Sequence, residues 1–211
     1  MSAVAVAAAG PPLEDARAAV VLRHGRGGSA HDILTFSKDL RQPDVAYMAP
    51  QAPAHTWYPQ SFLAPLSDNE PALTQSLHTL EVIVEDLARR GVAAGRVVLV
   101  GFSQGGCLAL EFAARNARRW GGVAGLSAGL IGPPPLVRDP YRGSLAGTPV
   151  FLGCSDIDSH IPLARVHATT EILTAMSAAV TERIYPGMGH TINQDEIGHV
   201  RGLLEGIDAA A

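Results

Sequence analysis

A chain of 211 residues suits one compact domain with a continuous core. Its composition, 47% apolar and 17% charged, is that of a globular protein. A net charge of −4 without a dense Lys/Arg run argues against nucleic acid or an anionic membrane as partner, and no apolar stretch approaches the ~18 residues that cross a bilayer.

The chain opens with Met1 to Gly10, rich in Ala and Val, ended by Pro11-Pro12 and lacking a basic leader. It reads as an edge strand or loose terminus rather than an export signal, which sets residues 1–17 apart from a single domain over 18–211 and implies a cytoplasmic protein. Ala18 to Leu22 is a short buried strand running into Arg23-His24-Gly25-Arg26-Gly27-Gly28, a glycine-rich loop whose N–H groups can approach an anion. His24 reads as a structural hydrogen-bonder.

Residues 30–40 read as a helix and 45–49 as a strand stopped by Pro50. Gln51 to Ser67 carries three prolines with Trp57, Phe62 and Leu63 and fits no period. So many large apolar groups on an irregular loop point to a pocket wall, with plain packing as the alternative. Asp68 or Asn69 is placed to cap the next helix, whose stripe Leu73, Leu77, Leu80, Val84, Leu87 faces the core.

Val97 to Val100 is a strand of four aliphatic residues buried on both sides, followed by Gly101-Phe102-Ser103-Gln104-Gly105. This is G-x-S-x-G, in which glycines leave room for a sharp strand-to-helix turn that lifts the serine hydroxyl out of the sheet. A helix over 104–119 would set that hydroxyl above its own N-terminus, where free N–H groups favour a developing negative charge. The amides of Arg26 and Gln104 are the candidate oxyanion donors.

Strands follow at 123–127, 148–153 and 180–185. A proline-rich loop between Gly129 and Gly147 adds Leu136 as a further pocket candidate, and helices fall after Pro162 and around Ile197 to Ile207. Strand and helix alternate throughout, predicting an α/β fold: a mostly parallel sheet covered on both faces. In such a sheet the loops leaving the strand C-terminal ends carry the site. Ser103, Asp156 or Asp158, and His190 each follow a strand, in the order nucleophile, acid, base. His31, His55, His167 and His199 read as solvated. Asp156, Asp158 and His160 would share a face as a metal cluster if extended, although a solvated acidic turn is the commoner use of such a run and serine chemistry requires neither metal nor cofactor.

With these pieces the chain resembles the phospholipase/carboxylesterase family of α/β-hydrolases. The resemblance rests on His-Gly-x-Gly at 24–27, Gly101 to Gly106, Asp158 to Pro162 and Tyr185 to His190. It implies Ser103 as nucleophile, His190 as base and the Arg26 and Gln104 amides as oxyanion hole. It favours Asp158 as the acid, because the family's acid stands four residues before a proline; two extra residues after Gly153 keep Asp156 as second choice. Arg23, in a loop that begins Leu-His-Gly in many relatives, is a further departure and places an extra cation near the mouth. Without a cap domain, a shallow groove walled by Trp57, Phe62, Leu63 and Leu136 is expected to take small esters of short or medium acyl length. The alternatives are a thioesterase or lysophospholipase for long acyl chains, or a binding protein without catalysis. Oligomeric state, a homodimer included, stays open.

Overall fold

Runs of β-branched and aliphatic residues without polar interruption become strands buried on both faces, and their order along the chain builds the central layer here. The computed structural model describes residues 5–136 and 141–207. The start of the N-terminal segment (1–4), part of the proline-rich loop (137–140) and the end of the 18–211 unit (208–211) lie outside the described residues.

Seven strands form one sheet in the order β1-β3-β2-β4-β5-β6-β7. They are β1 (Val6–Ala9), β2 (Ala18–Arg23), β3 (Val45–Pro50), β4 (Val97–Phe102), β5 (Gly122–Leu126), β6 (Pro149–Ser155) and β7 (Ala179–Tyr185). Only β1 is antiparallel, pairing Val6 with Pro50 and Ala9 with Tyr47 at one edge. From β3 to β7 the sheet is parallel, so the ends of β2, β4, β6 and β7 open on the same side.

Helices α3 (Ala72–Arg89), α4 (Gln104–Arg115) and α5 (Leu163–Ala175) cover one face, and α1 (Ala30–Leu34), α2 (Phe36–Leu40) and α6 (Gln194–Glu205) the other. The single helix expected over 30–40 is split at Thr35, whose hydroxyl donates to Asp32 O at 2.7 Å. The first core holds Leu73, Leu80 and Leu87 of α3 with Leu108 and Leu110 of α4 and Val166 of α5; the second holds Phe36 and Leu40 with Val200 and Leu204. Glu111 is buried in α4 yet fully served: Arg115 Nε donates to it at 2.6 Å, Ile131 N at 3.0 Å and Tyr141 Oη at 2.9 Å. That carboxylate fastens the proline-rich loop to α4.

Two expectations change. Neither Asp68 nor Asn69 caps α3. Glu70 instead accepts from Thr74 N at 3.2 Å, while Asn69 turns inward to hold Gln60 N and Ser61 O. Arg23 does not reach a mouth: it is fully buried, and its Nε, Nη1 and Nη2 meet no acceptor among the described residues. By strand alternation it lies on the face of Ala19 and Val21. Burial pushes its pKa down to about 9, which still leaves a cation at neutral pH with no ion-pair partner among the described residues. Arg23→Met keeps most of the volume and removes that charge. It is expected to raise the unfolding free energy by about 1–4 kcal/mol in a urea titration; an unchanged or lower midpoint would mean that the cation is satisfied inside the fold.

Candidate active site

The turn after β4 is forced by close packing. A Cβ at Gly101 would lie 2.2 Å from Gly105 O, and one at Gly105 would lie 2.4 Å from Arg23 O. Only glycine fits at either position, so the chain folds back on itself and Ser103 is driven to φ 54° and ψ −122°. Ser103 N donates to Leu126 O at 2.9 Å, and its carbonyl takes Cys107 N as the first helical bond of α4. The hydroxyl is left standing over the N-terminus of α4.

Two other strand ends bring partners to it. The loop after β7 carries His190, whose Nε2 lies 2.9 Å from Ser103 Oγ. The loop after β6 carries Asp158, whose Oδ2 lies 2.7 Å from His190 Nδ1. The other oxygen of Asp158 accepts from His160 N at 2.8 Å and Ile161 N at 3.0 Å, and Cys154 Sγ lies 3.8 Å from Oδ2. Burial works against ionising Asp158, but the bonds from His190 and the two amides outweigh it and hold the carboxyl below its ordinary range. An ionised Asp158 accepts from Nδ1–H, which leaves Nε2 as the acceptor for the Ser103 proton. Burial also raises the Cys154 thiol to about 12, so it faces that carboxylate as a neutral S–H.

Asp156 has a different partner. Its Oδ1 accepts from Gly187 N at 2.8 Å, and Ser155 Oγ accepts from Gly189 N at 3.1 Å and Ile157 N at 3.2 Å. The two residues after Cys154 thus latch the bent loop just before His190. Asp156, Asp158 and His160 do not converge, since each side chain is directed to a separate place, and no group of three metal-type ligands occurs among the described residues.

The glycine loop after β2 lies against Ser103: a Cβ on Gly25 would meet Ser103 Cβ at 3.4 Å. Gly27 N donates to His55 O and Gly28 N to Gly25 O, while no protein acceptor for the amides of Arg26 or Gln104 is found among the described residues. His24 Nε2 accepts from Ala52 N at 3.1 Å and Nδ1 pairs with Gly25 O at 2.7 Å, tying the loop to the end of β3. His55 pairs through Nδ1 with Gly28 O at 2.7 Å, a role that its solvated reading missed. Nothing local in the sequence marks it, because the contact spans 27 residues.

A cavity of about 620 Å³ opens beside Ser103, lined among others by Tyr58, Phe62, Phe102, Cys107, Ile161 and His190. That size accommodates a small molecule. Phe62 lies on its wall, whereas Trp57, Leu63 and Leu136 do not. Trp57 is buried beneath the loop, donating from Nε1 to His24 O at 2.9 Å and from its amide to Gln104 Oε1 at 3.0 Å; Leu63 and Leu136 pack against the core. The Gln104 side chain also donates to Tyr58 O at 2.8 Å, so the residue after Ser103 braces the wall. His160, read either as a third metal-type ligand or as part of an acidic turn, lies on the cavity with its ring 4.6 Å from that of His190.

Behind the His190 loop, Glu196 is buried in the first turn of α6 against Gly153, accepting from Asn193 N at 2.8 Å through Oε2 while Oε1 has no hydrogen-bond partner among the described residues. Burial raises its carboxyl from 4.5 to about 7. Between those values the folded chain holds a proton that the unfolded chain has released, so this contribution is present in acid and is lost as pH rises through about 7. Glu196→Gln, which keeps the capping acceptor, is expected to remove that slope from stability-versus-pH curves and to add up to about 3 kcal/mol above neutrality; an unaltered slope would show the carboxyl to be ionised. At the latch, Asp156→Ala is expected to speed hydrogen exchange at the Gly187 amide and cost about 1 kcal/mol. Asp156→Asn, which retains an acceptor, should restore protection, and equal exchange in all three proteins would contradict the latch.

Against known proteins, the phospholipase/carboxylesterase family matches residues 5–206. A crystallised phospholipase/carboxylesterase from Dyadobacter fermentans is 40% identical, with a TM-score of 0.91 over 97% of this chain and 99% of that one. Acyl-protein thioesterase 1 of Gibberella zeae is 25% identical, covering 92% of each chain, and the Saccharomyces cerevisiae protein of the same name is 25% identical over 92% of this chain and 94% of its own. The fold is that of the α/β-hydrolases, and the family's reactions are hydrolyses of esters and thioesters. The chain belongs to the phospholipase/carboxylesterase family.

Proposed function

We propose that the protein hydrolyses carboxylic esters of short to medium acyl length through an acyl-enzyme, with Ser103 as nucleophile, His190 as general base and Asp158 as the acid that orients it. The observation that carries this reading is the relay of 2.9 Å from Ser103 Oγ to His190 Nε2 and 2.7 Å from Nδ1 to Asp158. Ser103 Oγ attacks the ester carbonyl as its proton passes to Nε2, and Asp158 stabilises the imidazolium. The amides of Arg26 and Gln104 take the oxyanion; the imidazolium then protonates the leaving alcohol, and water reverses the sequence. Phe62, with Tyr58 and Ile161, walls the acyl site. Two buried, unpaired cysteines suit a cytoplasmic setting.

A second reading, hydrolysis of acyl thioesters, is favoured by the full-length similarity to acyl-protein thioesterases. One set of measurements separates these readings. A fluorophosphonate probe is expected to label the protein and to lose labelling in Ser103→Ala, with turnover falling about 10⁴-fold or more while the fold persists. Across p-nitrophenyl esters from acetate to palmitate, activity is expected to fall beyond medium chains. A maximum at palmitate, or preference for a thioester, would establish the second reading, and no labelling of the parent protein would leave a binding protein instead.

A further inference from the structure

The cavity beside Ser103 is lined by Arg26, His160 and His190 and by no Asp or Glu among the described residues, in a chain whose overall charge is −4. Asp158, the nearest carboxylate in the relay, has a fully buried side chain and both of its oxygens engaged. Arg26 is held in place without being neutralised. Its Nη1 donates to Pro59 O at 2.9 Å and its Nη2 to Tyr58 O at 3.0 Å and Gln60 O at 2.7 Å. Three neutral carbonyls thus take three of its five N–H groups, leaving Nε–H and one Nη1–H for a further acceptor. Arg17 and Arg115 meet carboxylates, Asp44 and Glu111, both at 2.6 Å, whereas Arg26, like Arg165 and Arg201, is held by carbonyls and meets no carboxylate within ion-pair distance among the described residues; of these, Arg26 is the one that lines the cavity. A guanidinium anchored by main-chain carbonyls is preorganised, because it need not give up a counter-ion or much side-chain freedom to receive an anion.

We propose that the site selects esters carrying a second, ionised carboxylate near the reacting carbonyl, with Arg26 as the specificity-determining cation and the exposed His160 ring as an additional hydrogen-bonding group. The substrate class is the half-ester of a short dicarboxylic acid or the ester of a short hydroxy acid. Arg26 then acts twice, through its amide on the oxyanion and through its guanidinium on the distal charge. This rests on the esterase reading above and deepens it.

The test compares matched pairs at low ionic strength: mono-p-nitrophenyl glutarate against p-nitrophenyl valerate for a charge on the acyl side, and 4-acetoxybutyrate against butyl acetate for a charge on the leaving alcohol. At least one pair is expected to favour the anion about 10-fold or more in kcat/KM, with the preference shrinking as salt is raised. Arg26→Gln should bring that ratio near unity and Arg26→Lys should recover part of it. The ratio is the readout because a loosened wall slows both members of a pair alike. Neutral esters favoured in both pairs, or a ratio indifferent to Arg26→Gln and to salt, would overturn the proposal while fluorophosphonate labelling and turnover of neutral esters leave the esterase reading standing. Loss of labelling and of all turnover would remove both.

Discussion

A non-glycine residue held at φ 54° and ψ −122° costs about 1–3 kcal/mol, and such a conformation persists only where surrounding structure leaves no other. At Ser103 that structure is a strand with Val97 to Val100 fully buried in front, a helix behind, and glycines at 101 and 105 that let the two approach. The site depends on this turn. If Ser103 relaxed to an ordinary strand conformation, its hydroxyl would return to a face of the sheet, away from the loops after β6 and β7. The large area buried by β4 and α4 offsets the local cost, so the strain of the site is borne by packing of the whole domain.

Three loops of independent origin meet at that hydroxyl, and each is fastened by its own polar contacts. Ser155 and Asp156 hold the chain before His190, two amides hold Asp158, and His24 with His55 holds the loop carrying Arg26. Loops are ordinarily the most mobile parts of a fold. Here, hydrogen bonds to main-chain N–H and C=O groups set their positions, leaving the side chains of Ser103 and His190 on the cavity.

Much of this was legible in the sequence for a physical reason. Strand and helix alternation is written locally, in runs such as Val97 to Val100 and in the stripe of α3, so the parallel layered fold follows from period and order. The positions of Ser103, Asp158 and His190 just after their strands follow from the same order, because a parallel sheet gathers those ends. What could not be read were contacts made across long separations. Trp57 looks like a wall residue until Gln104 and His24 claim its N–H groups and draw it inward. Asn69 looks like a cap until it is seen bonding the backbone at 60 and 61. Arg23 looks like a cation emerging at a strand end, yet it is enclosed. Polar side chains have several ways to be satisfied, and the tertiary fold chooses among them.

The wall formed by residues 58–61 is held by its main chain. Arg26 and Gln104 grip the carbonyls of Tyr58, Pro59 and Gln60, Gln104 also accepts from the Trp57 amide, and Asn69 takes the Gln60 amide and the Ser61 carbonyl. None of these bonds involves the side chain of Gln60, which lines the cavity, whereas Ser61 Oγ accepts from Leu63 N at 3.1 Å and so belongs to the frame. A lineage that exchanged Gln60 would reshape the cavity without unpicking that frame, which makes this one position the natural place for selectivity to drift while the contacts of Ser103 and His190 stay put.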